Sequence, residues 1–499
     1  MSDIRTVLRD VGGIFIIIGV VTLIALLVPL FGPYTAYDCL FPILITSALY
    51  FGVGLPLYFI FKNAEPANFK TAMVTAALGW MFISLISSIP FWLIPYNGIA
   101  HMSPLSAFFE SMSGWTGTGL TMVDKEALLP PTLQFWRSLI QWVGGVGVIV
   151  LTLSILARPG TGSFVLYKGE ARDQKTHPSI VSTVRTIWWI FLLFTIIGVI
   201  VVWLIGLFDP GGGMNGWESL NHAMTGLATG GFSVTNDSIA SFGTLSQIAI
   251  MVLMFIGAVA FAAHYDLLKG RIKKFFSDVQ LKAIISLIIL GVIALTIINL
   301  DLEGVNGNVW HSLKISGFQF TSAVTCTGFA SVESLTDWSE SAKLLLAFAM
   351  IIGGAAGSTA GGIKLFRAIL LYKGVGWRIK RAISTPRRIF VHKFGEKSLS
   401  KDDAMDLINE AAIISFMWVI LLIIGIFVTL AVTNRGLSDT IFEVCSAQGN
   451  VGLTTGITEI TMDPIAKAML IFNMWIGRLE IIPIIVLVKS MFGIKRNIL

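Results

Sequence analysis

The sequence predicts an all-α polytopic membrane protein, and three observations support this prediction. Of the 499 residues, 55% are hydrophobic and only 13% are charged, whereas a soluble domain carries about 25% charged residues. Apolar stretches long enough to cross a membrane recur along the whole chain. Four shorter, glycine-containing segments between them share one pattern, which indicates an internal repeat.

Ten apolar stretches are candidates for membrane-spanning helices, each of which needs about 20 apolar residues. The candidates are residues 11–31, 41–62, 70–95, 132–157, 185–208, 244–268, 281–300, 340–373 (interrupted), 408–433 and 465–490. The first stretch has no small-residue cleavage site, which favours a spanning helix over a cleaved signal peptide.

The connections between these stretches divide into two sets by charge. One set is rich in Lys and Arg, namely residues 158–185, 269–282 and 367–401. The other set is acidic or neutral, since residues 209–247 contain no Lys or Arg and residues 301–340 contain one, Lys314. Basic connections are typically cytoplasmic, so we expect this set and both termini in the cytoplasm. The net charge of +6 then reflects topology, and no nucleic-acid partner is expected.

Residues 364–401 form the longest basic segment, and three interpretations are open for it. It could be a solvated loop, a surface for lipid headgroups or a docking site for a cytosolic partner, and the sequence favours the first two. The three cysteines lack metal-ligand or CxxC spacing, so no disulfide framework is expected.

The repeated pattern occurs in the segments FFESMSGWTGTGLT, SLNHAMTGLATGGFS, GFQFTSAVTCTGFAS and IFEVCSAQGNVGLTT. We take as reference glycines Gly119, Gly230, Gly328 and Gly452. Nine residues before them stand Glu110, Asn221, Gln319 and Glu443. The reference glycines recur at intervals of roughly one hundred residues, which is too long for a solenoid repeat.

Each unit therefore reads as a spanning helix, a half-helix, a glycine-centred loop and a second spanning helix. The predicted divisions are residues 1–67 for an N-terminal hairpin, then 68–160, 161–275, 276–400 and 401–499 for four units. Half-helices of about twelve residues are too short to cross a bilayer. Non-helical backbone at membrane depth survives only inside protein or beside a water-filled cavity.

Four such loops on one face suggest that the units surround one central pore. Half-helices pointing their negative C-terminal ends inward would favour a cation, and loop carbonyls can replace its hydration shell. Glycine tolerates the positive φ angles that such a loop needs. The alternative is that the segments are packing loops with no role in permeation, which the fourfold register disfavours.

These motifs resemble the Trk/Ktr/HKT superfamily of potassium transporters, most closely its TrkH/TrkG type. The resemblance rests on the four loops TGTGLT, ATGGFS, CTGFAS and NVGLTT, on WVGGVGVIVL, GGAAGSTAGGIK and MWIGRLEIIPI, and on the two extra N-terminal spans. It covers nearly the whole chain.

The resemblance implies a potassium-selective pore formed by one chain, with K⁺ as the transported ion and no catalytic cofactor. It also implies a homodimer in the bacterial inner membrane, with lipid around it, gated by a cytosolic TrkA-like nucleotide-binding ring. The ion-binding filter would comprise Gly117, Thr118, Gly119, Ala228, Thr229, Gly230, Cys326, Thr327, Gly328, Asn450, Val451 and Gly452.

The segment GGAAGSTAGGIK, residues 353–364, interrupts the eighth span. A phosphate-binding P-loop is excluded because Ile363 separates Gly362 from Lys364 and no βαβ unit surrounds the motif. A packing kink is the plain alternative. The resemblance implies an intramembrane gate formed by Gly353, Gly354, Gly357, Gly361, Gly362, Lys364 and Arg478.

Arg478 lies inside the last span, and an intramembrane arginine indicates a functional site. Glu480 is two residues away and does not share its helix face, so we do not expect the two to pair. The resemblance implies that Arg478 contacts the gate loop and adds a positive barrier below the filter. Lys364 either extends to the cytoplasmic interface or adds to this barrier.

Two functional classes remain compatible with the sequence. The first is a gated, channel-like potassium uptake protein, and the second is a proton- or sodium-coupled potassium symporter. Symporters usually show inverted repeats with binding sites at broken helices, whereas the units here share one orientation. An enzyme is not expected, because the sequence offers no nucleophile–base or metal constellation.

Overall fold

The computed structural model describes residues 2–31, 37–95, 101–147, 180–302, 305–385, 391–395 and 397–491. Regular structure in these ranges is helical apart from one short two-stranded hairpin. The predicted all-α polytopic architecture is therefore confirmed. Most of the basic connection 158–185 lies outside the described residues.

The N-terminal pair of helices packs side by side. It consists of α1 (Ser2–Ile24), a 3₁₀ turn (Ala25–Leu27), α2 (Val28–Phe31) and α3 (Tyr37–Ile60). Gly12 allows the contact, since a Cβ added there would lie 2.8 Å from the carbonyl oxygen of Gly54. Small residues permit this close backbone approach between membrane helices.

The remaining helices repeat one order four times. The first group has α4 (Phe69–Ser87), α5 (Ile89–Leu93), α6 (Pro104–Thr116), a 3₁₀ turn (Glu126–Leu128) and α7 (Pro131–Val146). The second has α8 (Ile180–Gly206), α9 (Gly216–Leu227), α10 (Thr244–Ala258), α11 (Phe261–Leu268) and α12 (Ile272–Ser277).

The third group has α13 (Val279–Ile298), a 3₁₀ turn (Asn299–Asp301), α14 (Val309–Val324), α15 (Glu340–Ile352), α16 (Leu365–Ala382), β1 (His392–Phe394) and β2 (Lys397–Leu399). The two strands are antiparallel. The fourth has α17 (Lys401–Val432), α18 (Leu437–Gly449), α19 (Pro464–Leu479) and α20 (Ile482–Met491).

The half-helices are α6, α9, α14 and α18, and their starts are set by local sequence. Ser103, Asn215 and Asn308 cap the first three through side-chain oxygens that accept backbone N–H groups. Such caps stabilise a helix start by about 1 kcal/mol. The half-helices have 13, 12, 16 and 13 residues, so none reaches the length needed for a span.

Six helices in the described part of the chain are long and apolar enough to cross a membrane, and two bent helix pairs raise this number to eight. The other two predicted spans are 132–157, which is described only to residue 147, and 340–373, which the 353–364 loop divides. Within the described ranges the structure therefore agrees with the predicted span positions.

The sequence predicted an interruption of the spanning helix after the loop in the third group alone. The structure shows such an interruption in two further groups. The pair α10 and α11 bends by 103°, and the pair α19 and α20 bends by 111°. At the second bend Glu480 and Ile481 have φ angles of 56° and 74°. Hydropathy could not reveal these breaks because both flanking helices are apolar.

The basic segment 364–401 is not a plain loop, which corrects one interpretation of it. Leu365–Ala382 forms the helix α16, and the β1–β2 hairpin follows. The phenyl ring of Phe366 on α16 packs edge-on against Phe394 of β1. This part of the chain therefore has its own small folded structure.

Candidate functional site

Each half-helix ends in a tight turn that leads into a glycine-centred loop. In three loops the reference glycine and the residue two before it have positive φ: 90° and 66° for Gly119 and Gly117, 91° and 55° for Gly328 and Cys326, and 106° and 53° for Gly452 and Asn450. The second loop follows the same pattern at Thr229 and Gly231, with φ of 50° and 76°.

The structural equivalent of the other reference glycines is therefore Gly231, and the predicted register with Gly230 was wrong by one residue. The amide of Gly230 donates to the carbonyl of Thr225, as the amide of Thr118 does to Ser113. Two adjacent glycines allow either alignment in the sequence, and only the backbone distinguishes them. Ala228, which the prediction placed in the loop, instead has α-helical dihedrals as the cap of α9.

The four loops form a closed ring in which each glycine touches the next loop. A Cβ added to the reference glycine would lie 2.0–2.3 Å from a carbonyl oxygen of the following loop. The contacts are Gly119 to Gly230, Gly231 to Thr327, Gly328 to Val451 and Gly452 to Thr118. No side chain fits at such distances, so the ring itself requires glycine at all four positions.

Side-chain amides also form hydrogen bonds with the loops of the ring. The amide of Gln141 donates to the carbonyl of Gly230 at 2.7 Å and accepts from the N–H of Phe232 at 2.9 Å. The amide of Asn450 donates to the hydroxyl of Thr118 at 3.0 Å. These bonds join the first loop to the fourth and α7 to the second loop.

At one equivalent position of each half-helix, a side chain accepts a hydrogen bond from the backbone that follows the loop. It accepts the N–H of the residue three after the reference glycine, at 2.7, 3.4, 2.9 and 3.0 Å. The pairs are Glu110 with Met122, His222 with Val234, Gln319 with Ser331 and Glu443 with Thr455. His222 thus stands at the position that the predicted register gave to Asn221, and the two glutamates act as buried structural acceptors.

Arg137 is a residue beside the ring that was not predicted from the sequence. Its guanidinium pairs with Glu110 at 2.8 Å, donates to the carbonyl of Ser233 at 2.7 Å and lies 4.1 Å from the ring centre of Phe232. The Arg137 side chain is 1% exposed. Its position inside the predicted span 132–157 was a signal, because intramembrane ionisable residues are rare.

In three of the units, a second set of contacts joins the start of the helix after the loop to the next unit's half-helix. Lys343 of α15 pairs with Asp439 of α18 at 2.7 Å, and Lys467 of α19 donates to the hydroxyl of Ser106 on α6 at 2.9 Å. On α7, the amide oxygen of Gln134 accepts from the indole of Trp217 on α9 at 2.8 Å. The units are therefore linked around the ring.

A cavity of about 240 Å³ lies over the ring, on the side of the residues that follow each loop. We call it the outer cavity, and its floor includes Gly119, Gly231, Gly328 and Gly452. Its charged lining residues are Glu126, Arg137, Asp237 and Glu333. Because Arg137 is paired with Glu110, the excess charge is negative and favours cations.

The 353–364 loop lies against the opposite side of the ring. Thr359 makes two of the links: its N–H donates to the carbonyl of Gly257 at 3.2 Å, and its hydroxyl lies 3.0 Å from that of Thr229. The N–H of Gly362 donates to the carbonyl of Gly449 at 3.0 Å. Thr359 was not among the predicted residues, since a threonine in a glycine-rich run carries no distinctive signal.

Two structural features, positive φ angles and close contacts with neighbouring atoms, explain the glycines of this loop. Gly353, Gly357 and Gly362 have φ of 70°, 78° and 77°, a region that other residues rarely adopt. At Gly361 an added Cβ would lie 2.0 Å from the carbonyl oxygen of Gly449. Gly354 is in close contact with Ala360 within the loop, where an added Cβ would lie 2.5 Å away.

Arg478 joins this loop to the first unit. Its guanidinium donates to the carbonyls of Thr359 at 3.1 Å and Gly145 at 2.9 Å, and also to that of Gly144. Glu480 pairs with Arg367 of α16. Lys364 turns back and donates to the carbonyl of Ala360.

In the described part of the chain no group of three or more His, Cys, Asp or Glu side chains could hold a metal ion. The chemistry available at the ring is thus that of backbone carbonyls and threonine hydroxyls, with negative charge above and Arg478 below. Such oxygens suit a weakly hydrated cation.

Comparison with known proteins gives consistent matches over most of the chain. The family described as "TrkH: Cation transport protein" matches residues 41–493. An uncharacterized cation transporter of Methanocaldococcus jannaschii is 35% identical, over 98% of this chain and 96% of that protein. The Trk system potassium uptake protein TrkH of Escherichia coli K12 is 29% identical, over 86% and 87% of the two chains.

A solved structure matches equally widely. The crystal structure of the potassium transporter TrkH from Vibrio parahaemolyticus has a TM-score of 0.80 and 25% identity, over 98% of this chain and 99% of that chain. The family comprises transport proteins, so the prediction that the chain is not an enzyme is confirmed. From the family match and the fold together, this chain belongs to the TrkH family of cation transport proteins.

Proposed function

We propose that the chain carries potassium ions across a cell membrane through a channel-like path along the axis of the loop ring. The closed ring of four glycine-centred loops is the observation that carries this proposal. Relatives named as potassium uptake proteins support K⁺ as the transported ion.

The selectivity filter comprises the loop residues 117–119, 229–231, 326–328 and 450–452. Alternating positive φ angles orient successive carbonyls differently, and carbonyl oxygens can replace the hydration shell of K⁺. The fixed contacts between neighbouring loops hold the ring at one size. This register includes Gly231 and leaves out Ala228.

The 353–364 loop acts as the gate. It lies directly below the ring, in contact with the half-helix ends of the second and fourth units. The positive charge of Arg478 beside it raises the energy of a cation at this level. Opening requires the loop to leave its bonds to Gly257, Gly449 and Arg478.

Regulation is assigned to a cytosolic TrkA-like nucleotide-binding ring, with the transporter as a homodimer in the bacterial inner membrane. The family resemblance and the names of Trk system relatives support this. The distribution of basic residues supports cytoplasmic termini. Helix α16 begins directly after the gate, and its basic residues, together with the β1–β2 hairpin, make a suitable surface for such a regulator.

Cation flux into liposomes containing the purified protein tests the proposal. Under a potassium diffusion potential we expect K⁺ and Rb⁺ to enter faster than Na⁺ and Li⁺, and shortening of the 353–364 loop to increase the flux. Uptake that occurs only with an imposed proton or sodium gradient would contradict the channel-like path and establish the coupled symporter instead.

A further inference from the structure

Glu126 lies in the wall of the outer cavity, in the 3₁₀ turn Glu126–Leu128 between the first loop and α7. The residue is 8% exposed. Its own carbonyl accepts from the amide of Gln134 at 2.9 Å, and the next N–H, of Ala127, donates to Asn236 at 2.9 Å. The turn is therefore fixed from two sides, and the side chain borders the space above the ring.

The carboxylate of Glu126 makes no hydrogen bond or ion pair with another side chain in the ranges that the structure describes. The nearby guanidinium of Arg137 is already used by Glu110 and Ser233. The Glu126 carboxylate accepts a hydrogen bond from its own backbone N–H. Because it faces the cavity and carries no side-chain partner in the described ranges, its remaining lone pairs are acceptors for a mobile cation. The other charged groups around it or lining the same cavity are Glu110, Asp124, Arg137, Asp237 and Glu333.

The surroundings also make Glu126 responsive to pH. Burial raises its pKa to about 7, the charge of Arg137 opposes this shift, and the charges of Glu110 and Asp124 add to it. The group is charged above this pKa and neutral below it. One pH unit below its pKa, only about a tenth of the carboxyl groups remain ionised.

We propose that ionised Glu126 forms an outer binding site for a monovalent alkali cation above the ring, and that its protonation weakens this site. The inference rests on the proposed function, because it requires cations to enter the ring from the outer cavity. The site raises the local cation concentration at the mouth of the path, so its loss raises KM and leaves the maximal rate unchanged.

The test is potassium uptake by cells of a bacterial strain that lacks its own potassium uptake systems. Initial rates over a range of external K⁺ concentrations are measured from about pH 5 to about pH 9. For the unaltered protein we expect KM to rise about tenfold between pH ~8 and pH ~6, with little change in maximal rate. Glu126→Gln should have a high KM at every pH.

The matched control is Glu333→Gln, which removes a carboxylate that lines the same cavity but is exposed to solvent. It should keep the pH dependence of the unaltered protein. Glu126→Asp keeps a carboxylate on a shorter side chain, so the KM profile should remain pH-dependent with a shifted midpoint. This variant decides the matter if Glu126→Gln is not recovered in the membrane.

An unchanged pH dependence of KM in Glu126→Gln would overturn the inference, as would an unshifted profile in Glu126→Asp. A loss of pH dependence in Glu333→Gln would overturn it too, because the pH dependence would then require Glu333 and could not be assigned to Glu126 alone. Absence of potassium uptake by the unaltered protein at every pH would contradict the proposed function itself and is thus a separate outcome.

Discussion

The hydroxyl groups of Thr229 and Thr359 lie 3.0 Å apart and join the second glycine-centred loop to the 353–364 loop. The Thr359 hydroxyl can also donate to the carbonyls of Gly257, at 2.9 Å, and Leu227, at 3.2 Å. The Thr359 side chain therefore connects the proposed gate to the proposed filter and to helices α9 and α10 of the second unit. This contact makes the position of the gate dependent on the ring above it.

Replacing Thr359 by Val should increase the resting cation flux. The variant keeps the shape and removes hydrogen bonds that stabilise the closed position by about 1–2 kcal/mol. We expect roughly a tenfold rise in flux into liposomes. Ser358→Ala is the control, since among the described residues the Ser358 hydroxyl bonds to Ala355 and Ala360, both inside the loop. Equal flux from Thr359→Val and the unaltered protein would contradict the role of this contact.

Gly231→Ala should be more damaging than Gly230→Ala. At Gly231 the φ of 76° and the carbonyl of Thr327 both exclude a methyl group. At Gly230 the atoms nearest to the added methyl group belong to the side-chain amide of Gln141, which can shift more easily than backbone. We expect Gly231→Ala to reduce K⁺ uptake by about tenfold or more, because strain of about 1–2 kcal/mol falls on the ring. If Gly230→Ala had the larger effect, the register found here would be wrong.

Arg478→Ala should raise the flux more than Arg478→Lys. Both variants lose the several bonds to Thr359 and Gly145, but Lys keeps a positive charge near the path. The difference between the variants therefore measures the electrostatic part of the barrier. The flux through both variants should be measured at low and at high salt, since screening by salt weakens the repulsion between a positive side chain and the permeating cation. Identical flux in the two variants would leave anchoring as the sole role of Arg478.

Breaking the buried Arg137–Glu110 pair should destabilise the protein strongly. Arg137→Met leaves Glu110 buried without its cation, which typically costs about 3–5 kcal/mol. Thermal unfolding of the purified protein in detergent measures the effect. Lys70→Met is the control, because Lys70 pairs with Asp3 at an exposed site, where such pairs contribute about 0–1 kcal/mol. Similar unfolding temperatures for both variants would contradict this account of Arg137.

Much of the architecture could be predicted because it follows from local physical rules. Span length, half-helix length and the distribution of Lys and Arg are properties of short segments. They predicted the spanning helices, the half-helices and the cytoplasmic connections, respectively. The glycine-rich 353–364 loop was also recognisable, since five glycines in an apolar span need a structural reason. Its position against Thr229 and Gly257 was not, because contacts over more than one hundred residues leave no trace in one sequence.

The errors at the site have equally specific causes. The register of the second loop failed because Gly230 and Gly231 are adjacent, and the same slip hid the role of His222. The bend at Glu480 was missed because apolar residues flank it. Arg137 could have been found, since it lies in an apolar span and such residues seldom lack a structural or functional role.

The position of a bound cation tests the central claim most directly. Crystals grown with Rb⁺ in place of K⁺ allow the ion to be located by its anomalous scattering. We predict a peak on the axis of the ring, among the carbonyls of residues 117–119, 229–231, 326–328 and 450–452, which disappears in excess K⁺ and persists in equal Na⁺. An Rb⁺ peak elsewhere in the protein, with none in the ring, would contradict the assignment of the four loops as the selectivity filter.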